Sequence, residues 1–287
     1  MEEHAIIFES DGFIDALYGQ FSQRWVLQAV SLISVDIGAW KFIDGSRVQA
    51  YKDMQVWDGI SGSRITFPSD EPHGTITEIS NLQNCLLDRL NELGRVDIFS
   101  QQQVLNITRP DEFPVISLSS GKAIESRLLI GADGVNSPVR TFASIESRGW
   151  DYGHGVVSTL KTSRPTLTAW QRFLPTGPIA LLPVLPDGYA SLVWSTTSQL
   201  ANRFKSMSSR DFSALITAAF RLTPTDLSYI STESSDIADE VSWRLQCTRV
   251  DGDVPPSVLE ASNIACFPLR MRHADTYISD RVALDRD

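Results

Sequence analysis

The sequence predicts a mixed α/β fold, in which an α/β portion is interrupted by an antiparallel β-sheet and then resumes. Three observations predict this fold. Leucines recur at helical spacing over residues 81–93, an apolar run at 128–130 enters a glycine-rich turn, and three short apolar strands follow one another over residues 169–197. A chain of 287 residues, 42% of them hydrophobic, can bury the core of one large domain or two packed ones.

The first third of the chain gives signals of unequal strength. Residues 1–21 have no interpretable pattern, and residues 25–40 have apolar side chains at loose helical spacing. Residues 48–59 alternate like a strand and end in an Asp-Gly turn before a second short apolar run, which predicts a hairpin. The clearest helix covers residues 81–93, and Gly94 ends it.

The middle and end of the chain are richer in strands. Residues 96–107 predict one strand, and residues 169–197 predict a three-stranded meander divided by Pro-Gly turns. A second helix is expected over residues 209–221, followed by a polar loop at 226–238. The segments "NIACFPL" and "RVAL" predict short buried strands near the end.

Charge and residue usage exclude several classes of function. A net charge of −10 argues against nucleic-acid binding, which needs clustered Lys and Arg. The three cysteines and four histidines are scattered, so neither a disulfide framework nor a metal site is expected. No nucleophile-elbow motif occurs, and no catalytic side chain is predicted. Gly153-His154-Gly155 is expected to be a loop.

The stretch "LLIGADGVNSPVR", residues 128–140, has the strongest chemical signal. A buried strand delivers the chain to a turn in which Gly131 and Gly134 allow close backbone approach to a ligand. Asp133 follows the strand at its carboxyl end, where open α/β sheets bind ligands, and can either accept hydrogen bonds from ribose hydroxyls or help to order the nearby backbone. Ser137 is a candidate helix N-cap, and Arg140 can pair with Asp133 or approach a phosphate.

The same stretch resembles the second fingerprint of the class A flavoprotein monooxygenases. The resemblance implies a partial FAD/NAD(P)-binding Rossmann-like domain with an inserted antiparallel substrate-binding sheet. It implies FAD as cofactor, reduced by NAD(P)H or a ferredoxin system. The cofactor-binding residues that it implies are Gly131, Ala132, Asp133, Gly134, Ser137 and Arg140.

Further blocks, among them "WQRFLPTGPIALLP", "SLVWST" and "FPLRMRHADTYISDRVAL", resemble the UbiH-like mitochondrial hydroxylases of ubiquinone biosynthesis. This resemblance implies hydroxylation of the aromatic ring of a polyprenylated phenol at C5. It also implies association with other ubiquinone-biosynthesis proteins, peripherally on the matrix side of the mitochondrial inner membrane. No transit peptide is recognisable in residues 1–21, and no nucleic-acid partner is expected.

The resemblance also suggests a domain division. Residues 22–150 and 255–287 would form an incomplete FAD-binding domain, residues 151–254 a substrate-binding sheet domain, and residues 1–21 an unmatched segment. The meander would cover an apolar substrate. The lining residues that we expect there are Trp170, Phe173, Ile179, Leu181, Val193 and Trp194.

Two parts of the family's nucleotide cradle have no counterpart in the sequence. No Gly-x-Gly-x-x-Gly precedes residue 39, and "RVAL" resembles only the start of the family's late Arg-Val-x-Leu-x-Gly-Asp motif. The chain therefore resembles a hydroxylase truncated at both ends, and we expect it to bind FAD weakly or not at all. The alternative is a non-catalytic protein that acts only as an interaction partner in the ubiquinone-biosynthesis complex.

Overall fold

The structure is a computed structural model that describes residues 5–8, 25–26, 36–234, 236–249 and 252–285. The chain forms two compact units. Unit 1 contains Met1–Gly19, Leu93–Tyr152 and Leu269–Asp287, and unit 2 contains Gln20–Glu92 and Gly153–Pro268.

The secondary structure is mixed, which confirms the predicted α/β class. The strands are β1 (Ala5–Phe8), β2 (Trp25–Val26), β3 (Val48–Tyr51), β4 (Asp53–Asp58), β5 (Arg64–Phe67), β6 (Gly74–Glu78), β7 (Val96–Phe99), β8 (Val104–Thr108), β9 (Val115–Leu118), β10 (Ala123–Glu125), β11 (Leu129–Gly131), β12 (Ser147–Thr162), β13 (Thr168–Leu174), β14 (Gly177–Val184), β15 (Tyr189–Thr196), β16 (Val258–Ala274), β17 (Ile278–Ser279) and β18 (Val282–Leu284). The α-helices are α1 (Ile79–Leu93), α2 (Pro138–Phe142), α3 (Ser198–Ser206), α4 (Ser209–Ala219), α5 (Pro224–Thr232) and α6 (Ile237–Cys247). Short 3₁₀ turns cover Trp40–Phe42 and Gly45–Arg47.

Unit 1 is built from small sheets around one apolar core. β1 pairs with β7 in parallel, β8, β9 and β10 form an antiparallel sheet, and β11, β18 and β17 form a third sheet. The buried core side chains come from β9 to β11, α2 and β18, from the segment after α2 and from the last residue of β16. They are Ile116, Leu118, Ile124, Leu129, Val139, Ile145, Ala274, Val282 and Leu284.

Unit 2 contains a seven-stranded sheet in the order β16-β12-β15-β14-β13-β4-β5. The central strands β12 to β15 are antiparallel, and β13 pairs with β4 in parallel. One face of the sheet packs against α3 to α6, with Phe204, Phe212 and Leu215 fully buried between them. Part of the other face packs against the β2-β6-β3 sheet through a smaller cluster around Tyr51 and Ile76.

Several sequence predictions are confirmed. The hairpin is β4–β5, the leucine helix is α1, the meander is β13 to β15, the second helix is α4, and "RVAL" contains β18. The helix expected over residues 25–40 lies mostly outside the described part of the chain, of which residues 25–26 form β2 and residue 40 begins a 3₁₀ turn.

The predicted loop at residues 226–238 was wrong, because α5 and α6 cover most of it. Their polar outer faces hide the helical signal. The helices begin at capping residues, Thr223 and Asp236, whose side chains accept hydrogen bonds from backbone amides of the first turn. Leu227 and Ile230, three residues apart, bury the inner face of α5.

The predicted loop at Gly153-His154-Gly155 was also wrong, because it lies within β12. A Cβ at Gly153 would lie 2.5 Å from the Thr196 carbonyl oxygen, and φ is +113° there. The glycine therefore serves close strand packing rather than a turn. The single strand expected at 96–107 is two strands, β7 and β8, separated where Gln101 adopts a φ of 57°.

The compact units also group the chain differently from the expected domain division. Residues 22–92 were expected with the nucleotide-binding segments, whereas they belong to unit 2 with residues 153–268. The reason is visible in the strand pairing, because β4 continues the meander through Trp170–Gln55 and Arg172–Trp57. Both divisions change near residue 150.

No helix among the described residues has both the length and the apolar character to span a membrane. Across the same described ranges, no three His, Cys, Asp or Glu side chains are grouped so that they could hold a metal ion.

Candidate functional site

The two segments with nucleotide-binding signatures are neighbours in unit 1. β11 and β18 pair in parallel, with Leu129 opposite Val282 and Gly131 opposite Leu284. The amide of Asp285 donates a hydrogen bond to the Gly131 carbonyl oxygen at 2.7 Å. Both strands therefore end at the same edge of their sheet, which is the edge where open parallel sheets bind ligands.

Gly131 is required at the end of β11 by packing. A Cβ at this residue would lie 2.8 Å from the Cβ of Val139 and 3.0 Å from a methyl group of Leu284. Real side chains do not approach this closely, so only glycine lets α2 pack directly against the end of the two strands. The first glycine of the turn thus fixes the position of α2.

Residues 132–134 are exposed, in contrast to Gly131. Gly134 has a φ of +75°, and a Cβ there would have no heavy atom within 4 Å. The turn closes through the Ser137 amide, which donates to the Gly134 carbonyl oxygen at 3.0 Å. This combination leaves the Gly134 backbone open to close approach by a ligand.

Two side chains hold the start of α2. The Ser137 hydroxyl, which is buried, accepts a hydrogen bond from the Arg140 amide at 2.9 Å, and Pro138 occupies the first turn. Asp133 Oδ2 accepts from the Val139 amide at 3.2 Å. Its other oxygen accepts no hydrogen bond from a residue that the structure describes. The Asp133 carboxylate thus both orders the turn and keeps an acceptor at its surface.

Arg140 points its guanidinium back to the turn, where it donates to the Val135 carbonyl oxygen at 2.7 Å. Of the two roles expected for Arg140, the ion pair with Asp133 was wrong, because the described contacts include none and the guanidinium turns to the Val135 carbonyl oxygen instead. The approach to a phosphate stays a prediction. The Ser137 N-cap expected from the sequence is confirmed.

Replacing Ser137 by Ala removes the cap acceptor and leaves the Arg140 amide without its partner. We expect the free energy of unfolding to fall by about 1 kcal/mol, measured by urea denaturation. Ser120→Ala is the matched control, because Ser120 is exposed in the β9–β10 turn. Ser137→Asp should retain most of the stability, and a Ser137→Ala variant as stable as wild type would contradict the capping role.

Two ion pairs stabilise the turn that precedes β18. Arg281 has a φ of 63°, pairs with Glu112 and lies over the Phe113 ring at 4.9 Å. Arg109 forms an ion pair with Asp280 at 2.7 Å. These contacts fix the point at which β18 begins, and so fix its register beside β11.

The six expected substrate-lining residues divide between the two faces of the unit 2 sheet. Phe173 and Val193 are exposed, at 46% and 36% of their surface. The other four are buried against α3 to α6 and offer little surface to a ligand; they are Trp170, Ile179, Leu181 and Trp194. Contact with a substrate stays a prediction for all six. Among the six, only Phe173 and Val193 have exposed side chains that a substrate could contact.

Two residues next to these were missed by sequence reasoning. Arg172 is buried on the helix-covered face, where its guanidinium donates to the carbonyl oxygens of Ala219 and Gly59 at 2.8 and 3.3 Å. Burial lowers the pKa of the guanidinium, and Arg64 lowers it further. Gln171 points to the opposite face. The alternation of "AWQRFL" was the available signal, since it separates Trp170 and Arg172 from Gln171 and Phe173.

Comparison with known proteins identifies the chain's family. The family model described as "FAD binding domain" matches residues 58–250. The chain belongs to this FAD-binding domain family. The match confirms the resemblance to flavoprotein monooxygenases that residues 128–140 indicate.

Relatives of the chain within the family are ubiquinone biosynthesis monooxygenases COQ6, described as mitochondrial. The Homo sapiens protein is 38% identical over 267 residues, which cover 87% of this chain and 57% of the relative. The Saccharomyces cerevisiae protein is 37% identical over 270 residues (84% and 56%), and the Xenopus tropicalis protein 36% over 291 residues (95% and 62%). The chain thus spans 56 to 62% of the length of these relatives.

Two solved structures of monooxygenases share the fold of this chain. p-Nitrophenol 4-monooxygenase PnpA from Pseudomonas putida superposes with a TM-score of 0.64 at 14% identity, over 98% of this chain and 65% of PnpA. PqsL from P. aeruginosa, in complex with 2-aminobenzoylacetate, gives 0.64 at 16% identity, over 97% and 70% of the two chains. At these identities the likeness shows the fold alone.

The described residues fit a part of the FAD that the family name implies. The open Gly134 backbone, the surface oxygen of Asp133 and the guanidinium of Arg140 lie in one short turn at the carboxyl ends of two parallel strands. Carboxylates suit ribose hydroxyls, and guanidinium groups suit phosphates. The turn therefore has the donors and acceptors for a nucleotide.

Proposed function

We propose that the chain is part of an FAD-dependent monooxygenase of ubiquinone biosynthesis, which hydroxylates the aromatic ring of a polyprenylated phenol at C5. The observation that carries the proposal is the parallel pairing of β11 with β18. It brings the Gly131–Gly134 turn beside the segment that resembles the start of the family's late nucleotide-binding motif. The family match and the COQ6 relatives support the same reaction class.

FAD, when bound, supplies the redox and oxygen chemistry of the reaction. The chain's own residues have simpler roles. Asp133 would accept hydrogen bonds from ribose hydroxyls, Arg140 would approach the diphosphate, and Gly134 would let the backbone lie against the cofactor. Ser137 would position Arg140 by capping α2.

The exposed face of the unit 2 sheet suits the proposed substrate. Phe173 and Val193 are exposed there, and Ala180 and Val56 are half-buried on the same face. An apolar sheet face favours an aromatic ring and an isoprenoid tail, because each buried CH₂ stabilises the complex by about 0.8 kcal/mol. An electron donor, either NAD(P)H or a ferredoxin system, completes the proposed reaction.

The relatives are named as mitochondrial, which supports a mitochondrial location. We further assign the protein to the matrix side of the inner membrane, where lipid would take up the tail of a polyprenylated substrate, in association with other ubiquinone-biosynthesis proteins. Ring hydroxylation is tested by supplying the chain with FAD, a reductant, oxygen and a short-tailed prenylphenol. Mass spectrometry should detect a product that has gained one oxygen atom.

The FAD-binding part of the proposal is tested by fluorescence anisotropy of FAD titrated with the chain. We expect weak but saturable binding by the wild type. In Gly134→Ala, a methyl group occupies the space against which the cofactor would lie, and we expect affinity to fall at least tenfold, or about 1.4 kcal/mol.

Gly121→Ala is the matched control for this titration. Gly121 lies in the β9–β10 turn of the same unit, with a φ of +81° and no heavy atom within 4 Å of an added Cβ. The two variants therefore share the same backbone strain, and Gly121→Ala should bind FAD like wild type. Equal affinities in both variants would contradict the site, and absence of saturable binding in the wild type would favour the non-catalytic alternative.

A further inference from the structure

A row of side chains crosses six strands on the exposed face of the unit 2 sheet. Strand pairing places Gln171 opposite Val56 on one side and Ala180 on the other. The row continues through Val193 to Val157, and on the other side to Ile65. Directly opposed residues share a face, so these six side chains form one continuous stripe. We call it the central row.

Gln171 is the single polar side chain of the central row. Its neighbours two residues away along β13, Ala169 and Phe173, lie on the same face and are also apolar. Gln171 is half-buried, and its amide makes no hydrogen bond to any side chain or backbone group in the described ranges. An amide with two donors and an acceptor thus stands uncommitted in apolar surroundings.

Asp58, a charged residue on the same face, already has partners. Asp58 is opposite Phe173 and accepts hydrogen bonds from the amides of Ser61 and Ile60 at 2.6 and 3.2 Å. These bonds, from Ser61 first, hold the pKa of the Asp58 carboxyl below its usual value. Asp58 is therefore occupied in closing the β4–β5 turn, and Gln171 is the polar side chain that the central row itself offers to a ligand.

We propose that Gln171 is a positioning residue, whose amide hydrogen-bonds to a ring oxygen of the phenolic substrate while the central row contacts the ring and the start of its tail. This inference rests on the proposed function and adds a determinant of substrate preference. A partly desolvated amide favours a ligand that satisfies it and disfavours one that leaves it unpaired. A phenol oxygen both donates and accepts, as the amide does.

The test compares the binding of two probes, a short-tailed 2-prenylphenol and the matching prenylbenzene, by calorimetry with the full chain. The wild type should bind the phenol about threefold to tenfold more tightly, the range of one net hydrogen bond. Gln171→Leu should bind both probes equally, through weaker binding of the phenol alone. A purely structural role would weaken both probes together.

Gln55→Leu is the matched control. Gln55 lies on the opposite face of the same sheet, opposite Trp170, and its side chain accepts a hydrogen bond from the Thr66 hydroxyl at 3.0 Å. Gln55→Leu should bind the phenol more tightly than the prenylbenzene, as the wild type does. If Gln55→Leu lost this preference for the phenol, the inference would be overturned. A preference that persists in Gln171→Leu, or is absent in the wild type, would also overturn it and leave the proposed function standing. Failure of both probes to bind the wild type would overturn both.

Discussion

Replacing Arg172 by Met should lower the free energy of unfolding by about 3 kcal/mol. Arg172 is buried, with 6% of its surface exposed, and its guanidinium donates to the carbonyl oxygens of Ala219 at the end of α4 and of Gly59 after β4. Met fills much of the volume but donates to neither oxygen, and buried carbonyl groups left unpaired cost about 1 to 3 kcal/mol each. Chemical denaturation, followed by tryptophan fluorescence, measures the change.

Arg210→Met is the control for this substitution. Arg210 lies on α4 as well, but its side chain is 68% exposed, and its ion pair is with the exposed Asp239. Such surface pairs contribute about 0 to 1 kcal/mol, so this variant should unfold almost like wild type. If Arg172→Met were within about 0.5 kcal/mol of Arg210→Met, the hydrogen bonds from Arg172 to Ala219 of α4 and to Gly59 after β4 would not contribute measurably to stability.

Replacing Gly131 by Ala should destabilise unit 1 by about 2 kcal/mol, because the new methyl group has no room. It would lie 2.8 Å from the Cβ of Val139 and 3.0 Å from Leu284, both of which are buried. Relief requires α2 to move away from β11, and overpacking of this kind typically costs about 1 to 3 kcal/mol. The loss of stability is measured by chemical denaturation, and hydrogen exchange of the unit 1 amides shows whether it is confined to this unit.

Gly45→Ala controls for the loss of backbone freedom. Gly45 has no positive φ, and an added Cβ would have nothing within 4 Å. This variant should be as stable as wild type or slightly more stable, because alanine reduces the entropy of the unfolded chain. Equal stability of the two alanine variants would show that α2 has space to yield.

The sequence predicted the elements whose pattern is local. The leucine stripe of α1, the hairpin β4–β5 and the Ser137 cap each depend on residues within a few positions of one another, and all three are present. The Gly131–Gly134 turn was found for the same reason. Its two glycines are required for different reasons, close packing at Gly131 and a left-handed backbone at Gly134. Both requirements select glycine and are therefore visible in the sequence.

The faces of the meander could not be predicted, because alternation separates two faces without saying which one is covered. That choice depends on α3 to α6, which follow later in the chain and bury Trp170 and Trp194. Because α5 was expected to be a loop, the covering layer was incomplete in the prediction. Gln171 was therefore missed. Its position as the polar residue of an apolar row becomes visible only when the strand register places its five apolar neighbours beside it.

The placement of residues 22–92 was beyond local reasoning for a related cause. The parallel pairing of β4 with β13 joins segments more than 100 residues apart in the sequence. Neither segment contains a local pattern from which its partner strand could be predicted. The pairing of β11 with β18 joins segments that are even farther apart in the sequence, but there the family resemblance marked both segments as parts of one nucleotide site.

Hydrogen–deuterium exchange with and without FAD tests the nucleotide site most directly. FAD should slow exchange of the amides in residues 132–136 and at Asp285, while the exposed β9–β10 turn should exchange at an unchanged rate. Protection confined to other segments, or no protection at saturating FAD, would show that the turn between β11 and α2 is not a wall of a flavin site.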